Sequence, residues 1–384
     1  MAPDTRHELL LILPAGFLSL VAVYALLGIF PEFRAEQWLL QASLLWSLVW
    51  QQIWQRSDKN RSACDSKPYP ALGWANRLTL LRGGLIAATG GFLFQPESPG
   101  ALAFIPALVY SIAAILDRID GFIARRSRQT SLMGSELDMV FDALGLLVAP
   151  LLAVGYGRIH WSFLLVSAAY YLFRWGLHWR RQHGLPVYEL APNSLRRALA
   201  GFQMGFIAVV LWPLFGDSTP SMGDQLPLTQ LAGLAFMVPV LTGFAVDWLA
   251  ASGRVSPERA PARRFFEKLQ MLSALIFQPG LRIVAFVSIV MFVVYKGGNP
   301  ENLFAQPATA NFVLLFCAVS ILLGLAARVA SLLAVILLAS LYQVPHTAPL
   351  YIATICVVWI MLLGSGRFSL WQWDDRWVNR YDGA

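Results

Sequence analysis

The sequence predicts an all-α, polytopic membrane protein. Apolar runs near 20 residues recur from one end of the chain to the other. Of the 384 residues, 57% are hydrophobic and only 13% charged, whereas an average soluble domain is about one-quarter charged. Lys and Arg gather in alternate loops. A soluble helical core would need polar faces on its surface helices, and most of these segments are apolar all round.

Taken in order, the runs place about twelve spans near 9–30, 38–55, 78–95, 101–116, 135–155, 160–177, 198–215, 228–249, 270–295, 309–325, 329–343 and 349–364, each close to the length a bilayer requires. The first follows Arg6 but is long and carries no clear small-residue cleavage site, so it reads as a retained helix rather than a signal peptide. Basic loops lie around Arg56–Lys67, at 117–130, 174–184 and 252–268, and neutral or acidic ones at 95–100, 215–225 and 299–310. That alternation fits the span count and puts the basic loops and both termini in the cytoplasm. The formal charge of +7 is thereby a topology signal; no aromatic-and-basic motif points to nucleic acid. Cys64 lies in a polar loop, Cys317 and Cys356 lie in apolar runs, and no Cys or His pair has metal-ligand spacing. Cysteine usage and modular form suit a bacterial inner membrane.

Polar stretches at Ser57–Tyr69 and Gly253–Lys268, both with prolines, divide the chain into a two-helix lead (1–66), a six-helix middle module (67–252) and a four-helix tail (253–384).

One segment, 111–147, stands apart. Four acidic residues, Asp117, Asp120, Asp138 and Asp142, sit at the cytoplasmic ends of two adjacent spans, where carboxylates are costly and default to function. On a helix Asp117, Asp120, Gly121 and Ala124 share an arc of roughly 100°, while Gly134, Asp138 and Asp142 form a second stripe. Two carboxylates from each helix can converge, with small residues leaving room beside them. Hard divalent cations, two Mg²⁺ or Mn²⁺ ions, would offset such a cluster and suit phosphoryl transfer. The bland alternative, solvated loop charges with Asp138 paired to Arg125 or Arg126, explains poorly why Asp138 and Asp142 continue into an apolar helix.

The spacing Asp117, Asp120-Gly121, Ala124-Arg125, Gly134, Asp138, Asp142 resembles the signature of the CDP-alcohol phosphatidyltransferase family at every specified position. Eight such residues match a given start by chance roughly once in ten billion. The resemblance covers the middle module. Asn76-Arg77-Leu78-Thr79 with Arg82 is similar to the lead into that family's first span, although capping alone could explain Asn76 and Thr79.

The resemblance implies transfer of a phosphatidyl group from a CDP-linked lipid such as CDP-diacylglycerol to an alcohol acceptor, by attack on the β-phosphorus with release of CMP, in phospholipid biosynthesis. Asp117, Asp120, Asp138 and Asp142 would hold two metal ions, and Asp142 would also be the general base. Asn76, Thr79, Gly121, Ala124, Arg125 and Gly134 would form the CDP pocket. Arg174, Arg196 and Arg197 resemble basic acceptor residues of some members, yet Leu199 and Ala200 depart from the Lys-rich pattern of phosphatidylglycerophosphate synthases. Positive-inside anchoring explains these arginines as well, so the acceptor stays open. A homodimer is common in the family; no residue here demands one.

In the tail, FQPGLRIVAF and Gly364-Ser365-Gly366-Arg367-Phe368-Ser369-Leu370 resemble DoxX-type four-helix membrane proteins, which implies no defined reaction. Gln278, Arg282 and Lys296 near span ends read as snorkelling side chains, and the C-terminal Trp-rich segment as an aromatic interfacial anchor. Two other readings compete with the enzyme: a transporter, which would place polar residues at the bilayer midplane, and a catalytically degenerate scaffold, which has no need of four converging carboxylates.

Overall fold

A computed structural model describes residues 3–62, 67–127, 130–190, 194–215, 226–255, 268, 270–297, 308–340 and 347–378. Cys64, most of the second boundary loop, the 299–310 loop up to Pro307, the Lys296 side chain and the final six residues lie outside the described residues.

The protein is all-helical, with no strand among the described residues. Its helices are α1 (Pro3–Leu27), α2 (Ala35–Arg56), α3 (Gly73–Gly90), α4 (Phe104–Arg126), α5 (Leu132–Gly155), α6 (Leu164–Gln182), α7 (Ser194–Val210), α8 (Leu228–Ala251), α9 (Gln278–Gly297), α10 (Ala308–Leu323), α11 (Ala327–Ser340), α12 (Ala348–Leu363) and the short α13 (Trp373–Val378). Each predicted span falls on one of α1 to α12. The stretches Thr5–Leu27, Gly100–Arg126, Leu132–Gly155, Leu228–Ala251 and Gln270–Val294 are long and apolar enough to cross a membrane, and α10 to α12 are apolar but shorter. Outward-facing Leu11, Leu18, Ile115 and Phe122 are exposed, as suits a surface against lipid tails rather than water.

Helices α3 and α4, which carry candidate site residues, depart from the predicted bounds. Helix α3 begins at Gly73, before the run predicted from 78, and α4 continues to Arg126, ten residues beyond the predicted end. Apolar run length marks the bilayer, but the backbone ladder needs no apolar side chains, so α4 carries Asp117 and Asp120 within its helix.

The chain separates into two compact units, Met1–Arg158 with Met204–Pro213, and Ile159–Gln203 with Leu214–Ala384. In the first, α3 packs against α2, α4 and α5. Small residues allow this: a Cβ on Gly83 would meet Val49 of α2 at 2.8 Å and Phe141 of α5 at 3.1 Å. Trp38 of α2 is buried and donates its indole N–H to the Ala88 carbonyl of α3 (3.1 Å), so its polar edge is satisfied away from water.

In the second unit, α8 packs on α6 and α12, and α9 to α12 form a four-helix bundle. The core of that bundle includes Phe292, Leu314, Ala334 and Val357. Arg282 corrects the snorkelling expectation. It is only 4% exposed and donates to the carbonyls of Ile321 (2.9 Å), Leu322 (2.5 Å), Ser365 (3.1 Å), Arg367 (3.3 Å) and Phe368 (3.2 Å). The guanidinium thus caps the orphan carbonyls ending α10 and ties down the Gly-Ser-Gly-Arg turn. Gln278 likewise turns inward, donating to the Leu363 carbonyl (3.1 Å).

Candidate active site

Helices α3, α4 and α5 of the first unit build the site. Asn76, Thr79 and Arg82 lie at i, i+3 and i+6 on α3, one stripe of that helix. Asp117 and Asp120 come from α4, Asp138 and Asp142 from α5. Ser131 caps α5 by accepting from the Gly134 N–H (2.9 Å).

The carboxylates converge. Asp117, Asp138 and Asp142 each offer an oxygen within 4.8 Å of the others. Asp120 is buried and accepts from the Thr79 hydroxyl (2.9 Å). At the centre sits Arg82, whose side chain is 0% exposed. Its Nη1 bonds Asp117 and Asp138 (2.9 Å), with Asp120 at 3.7 Å. Its Nη2 bonds Asp142 (3.0 Å) and the Asp138 carbonyl (3.1 Å).

A cleft of about 350 Å³ opens beside the cluster. It is lined by all ten residues expected to hold metal or the CDP moiety: Asp117, Asp120, Asp138, Asp142, Asn76, Thr79, Gly121, Ala124, Arg125 and Gly134. The Arg125 guanidinium lies over Gly121, 3.3 Å from where a Cβ would stand. Gly134 is small for a different reason. A Cβ there would meet the Asn76 carboxamide oxygen at 2.6 Å and Ser131 Oγ at 3.1 Å.

Asn76 is already engaged. Its amide N–H donates to Asn60 Oδ1 (3.1 Å) and the Leu72 carbonyl (2.7 Å), and its oxygen accepts from Ser131 (3.1 Å). This places Asn76 as a tie between the α2–α3 loop and the start of α5 as well as in the cleft wall. In the sequence Arg82 stands out only as part of the α3 lead, and Ser131 and Asn60 do not stand out at all. An arginine three residues after Thr79 in a span was the available signal, since a charge at that depth needs a partner.

The arginines expected at the acceptor belong to the second unit. Arg174 lies on α6, and Arg196 and Arg197 on α7. Arg196 pairs with Asp247 of α8 at 2.7 Å.

The donor set fits a hard cation: carboxylate oxygens alone, from two helices, facing a polar cleft. Four carboxylates around one guanidinium keep the centre acidic, as a divalent-ion site requires.

Residues 72–245 match the family model described as CDP-alcohol phosphatidyltransferase. A curated protein of Blochmanniella floridana named CDP-diacylglycerol--glycerol-3-phosphate 3-phosphatidyltransferase is 39% identical over 61 residues, which is 16% of this chain and 32% of that protein. The chain therefore spans about a third of the length of the curated relative it matches. No solved structure matches the chain. The family match ends before the C-terminal bundle.

Proposed function

We propose that this chain, whose residues 72–245 match the family model, is an integral membrane enzyme that transfers a phosphatidyl group from a CDP-linked lipid, such as CDP-diacylglycerol, to an alcohol in phospholipid biosynthesis. The observation that carries this reading is the single cleft lined by the four aspartates and by Asn76, Thr79, Gly121, Ala124, Arg125 and Gly134.

In this reading Asp117, Asp138 and Asp142, with Asp120 beside them, hold two Mg²⁺ or Mn²⁺ ions. Bound there, the ions would offset the charge of the diphosphate and of the departing phosphate. Gly121, Ala124 and Gly134 keep the cleft wall low enough to admit the nucleotide, and Arg125 binds the diphosphate by charge. Asp142 takes the proton of the acceptor hydroxyl as that oxygen forms a bond to the β-phosphorus. The bond from the β-phosphorus to the bridging oxygen breaks, the bridging oxygen leaves on CMP, and the proton passes from Asp142 to water. Of the candidate bases Asp142 lies furthest along α5, and its carboxylate is aligned by Arg82, which suits a base that must stay within hydrogen-bond reach of the hydroxyl.

The domain plan follows the sequence: a two-helix lead (1–66), the catalytic module (67–252) and the four-helix bundle (253–384). Twelve spans, a bacterial inner membrane, a cleft and both termini facing the cytoplasm, and a homodimer complete the reading, supported by the alternation of basic loops and by the family. The name of the Blochmanniella relative makes glycerol 3-phosphate the first acceptor to assay, with Arg174, Arg196 and Arg197 as its candidate contacts.

The test is CMP release by the purified protein in nanodiscs with CDP-diacylglycerol, Mg²⁺ or Mn²⁺, and separate acceptor pools. Release that requires metal, one pool and Asp142 supports the proposal. No release from any pool by folded, metal-binding protein would sink it.

A further inference from the structure

The cleft chemistry uses four carboxylates and leaves one buried group unexplained. Arg82 has no exposed side-chain surface, and a guanidinium cannot shed its charge on burial. It must therefore be held by anions, and those within reach are the four aspartates of the cleft. Its two terminal nitrogens divide the work. One serves Asp117 and Asp138 and lies 3.7 Å from Asp120, and the other serves Asp142 at 3.0 Å. One nitrogen spans α4 and α5, and the planar fork brings a second that holds Asp142 at the same time, whereas an ammonium is a single point charge. Gly83, next in sequence, lets α3 approach Phe141 of α5, which delivers the fork to that depth.

We propose that Arg82 is a positioning residue, the built-in counter-ion that assembles the four carboxylates and shares them with divalent metal. This rests on the reading of the cluster as a metal site. Arg82 and the metal ions are cations for the same carboxylates, so each lessens the need for the other, and the coupling is reciprocal. A residue that merely shaped the site would behave oppositely, and its loss would weaken metal binding.

The experiment compares wild type, Arg82→Gln and Arg82→Lys as full-length protein in detergent, in chelator and in Mn²⁺. Unfolding is followed by tryptophan fluorescence, and Mn²⁺ binding by electron paramagnetic resonance. In chelator R82Q should unfold below wild type. Mn²⁺ should raise its midpoint by about 3 °C or more beyond the rise in wild type and bind it about tenfold tighter, with R82K between the two. Equal rises in wild type and R82Q, a smaller rise in R82Q, or an R82K that matches R82Q would overturn the role of Arg82 while leaving the metal reading intact. No Mn²⁺ effect on any of the proteins would overturn both. Where R82Q does not survive purification, Arg82→Gln with Asp117→Asn removes the cation together with one anion. Recovery of folded protein in chelator supports the counter-ion role, and failure to recover it refutes that role.

Discussion

Asp142 and Gly134 occupy the same stripe of α5 but contribute in different ways. Asp142 is the proposed base, so Asp142→Asn keeps the shape and removes the proton acceptor. CMP release should fall by about 10²- to 10⁴-fold, measured at saturating donor on the folded fraction of the variant. Gly134 is constrained by packing. Its absent Cβ is what lets the Asn76 carboxamide bond Ser131 at 3.1 Å. Gly134→Ala should force Asn76 aside, cost about 1–3 kcal/mol of stability and raise the KM for the CDP-lipid. An unchanged melting temperature would count against that packing account. At this scale the sequence was informative wherever a role follows from spacing along one helix, as for the aspartates. It said less about Asn76, whose partners Asn60 and Ser131 lie 16 and 55 residues away.

Helix α3 decides whether the aspartates meet. It touches α2, α4 and α5 together, and the Gly83 contact with Val49 and Phe141 sets how closely it approaches. Gly83→Val should push these helices apart and cost about 1–3 kcal/mol or more. It should also lower CMP release more than it lowers donor binding, because Arg82 moves with its neighbour. Equal activity in wild type and variant would show that the packing of α3 does not govern the cluster. Helix positions were legible in the sequence because a bilayer demands a minimum apolar length. The true end of α4 at Arg126 was not, since a helix can continue past the membrane-depth residues on backbone hydrogen bonds alone.

For the molecule as a whole, the C-terminal bundle is closed by charges that hydropathy reads only as loop or span-end residues. Asp375 accepts from Arg328 at 2.5 Å and from the Ser365 backbone at 3.0 Å, and also bonds the Ser365 hydroxyl. Asp374 caps α11 by accepting from the Arg328 N–H at 2.7 Å. Asp375→Ala would leave Arg328 buried without its acid, which costs about 3–5 kcal/mol. In a Cys64→Ser background, thiol-reactive dye should then reach the buried Cys317 and Cys356 at a lower temperature than in the parent. A dye-labelling curve that does not move would place the stability of the bundle elsewhere. By itself the sequence determined the all-helical membrane class, the placement of each long helix and the carboxylate stripes, because apolar length and helical period act locally. It also marked the resemblance to the CDP-alcohol phosphatidyltransferases, through eight residues held at fixed spacing. Only the tertiary structure decided what neutralises the buried charges. Arg82 meets aspartates 35, 56 and 60 residues away, and Arg282 turns inward to carbonyls about 40 and 85 residues away instead of reaching for the interface. The partner of a buried cation is chosen by which helices pack together, and no local pattern in the chain encodes that choice.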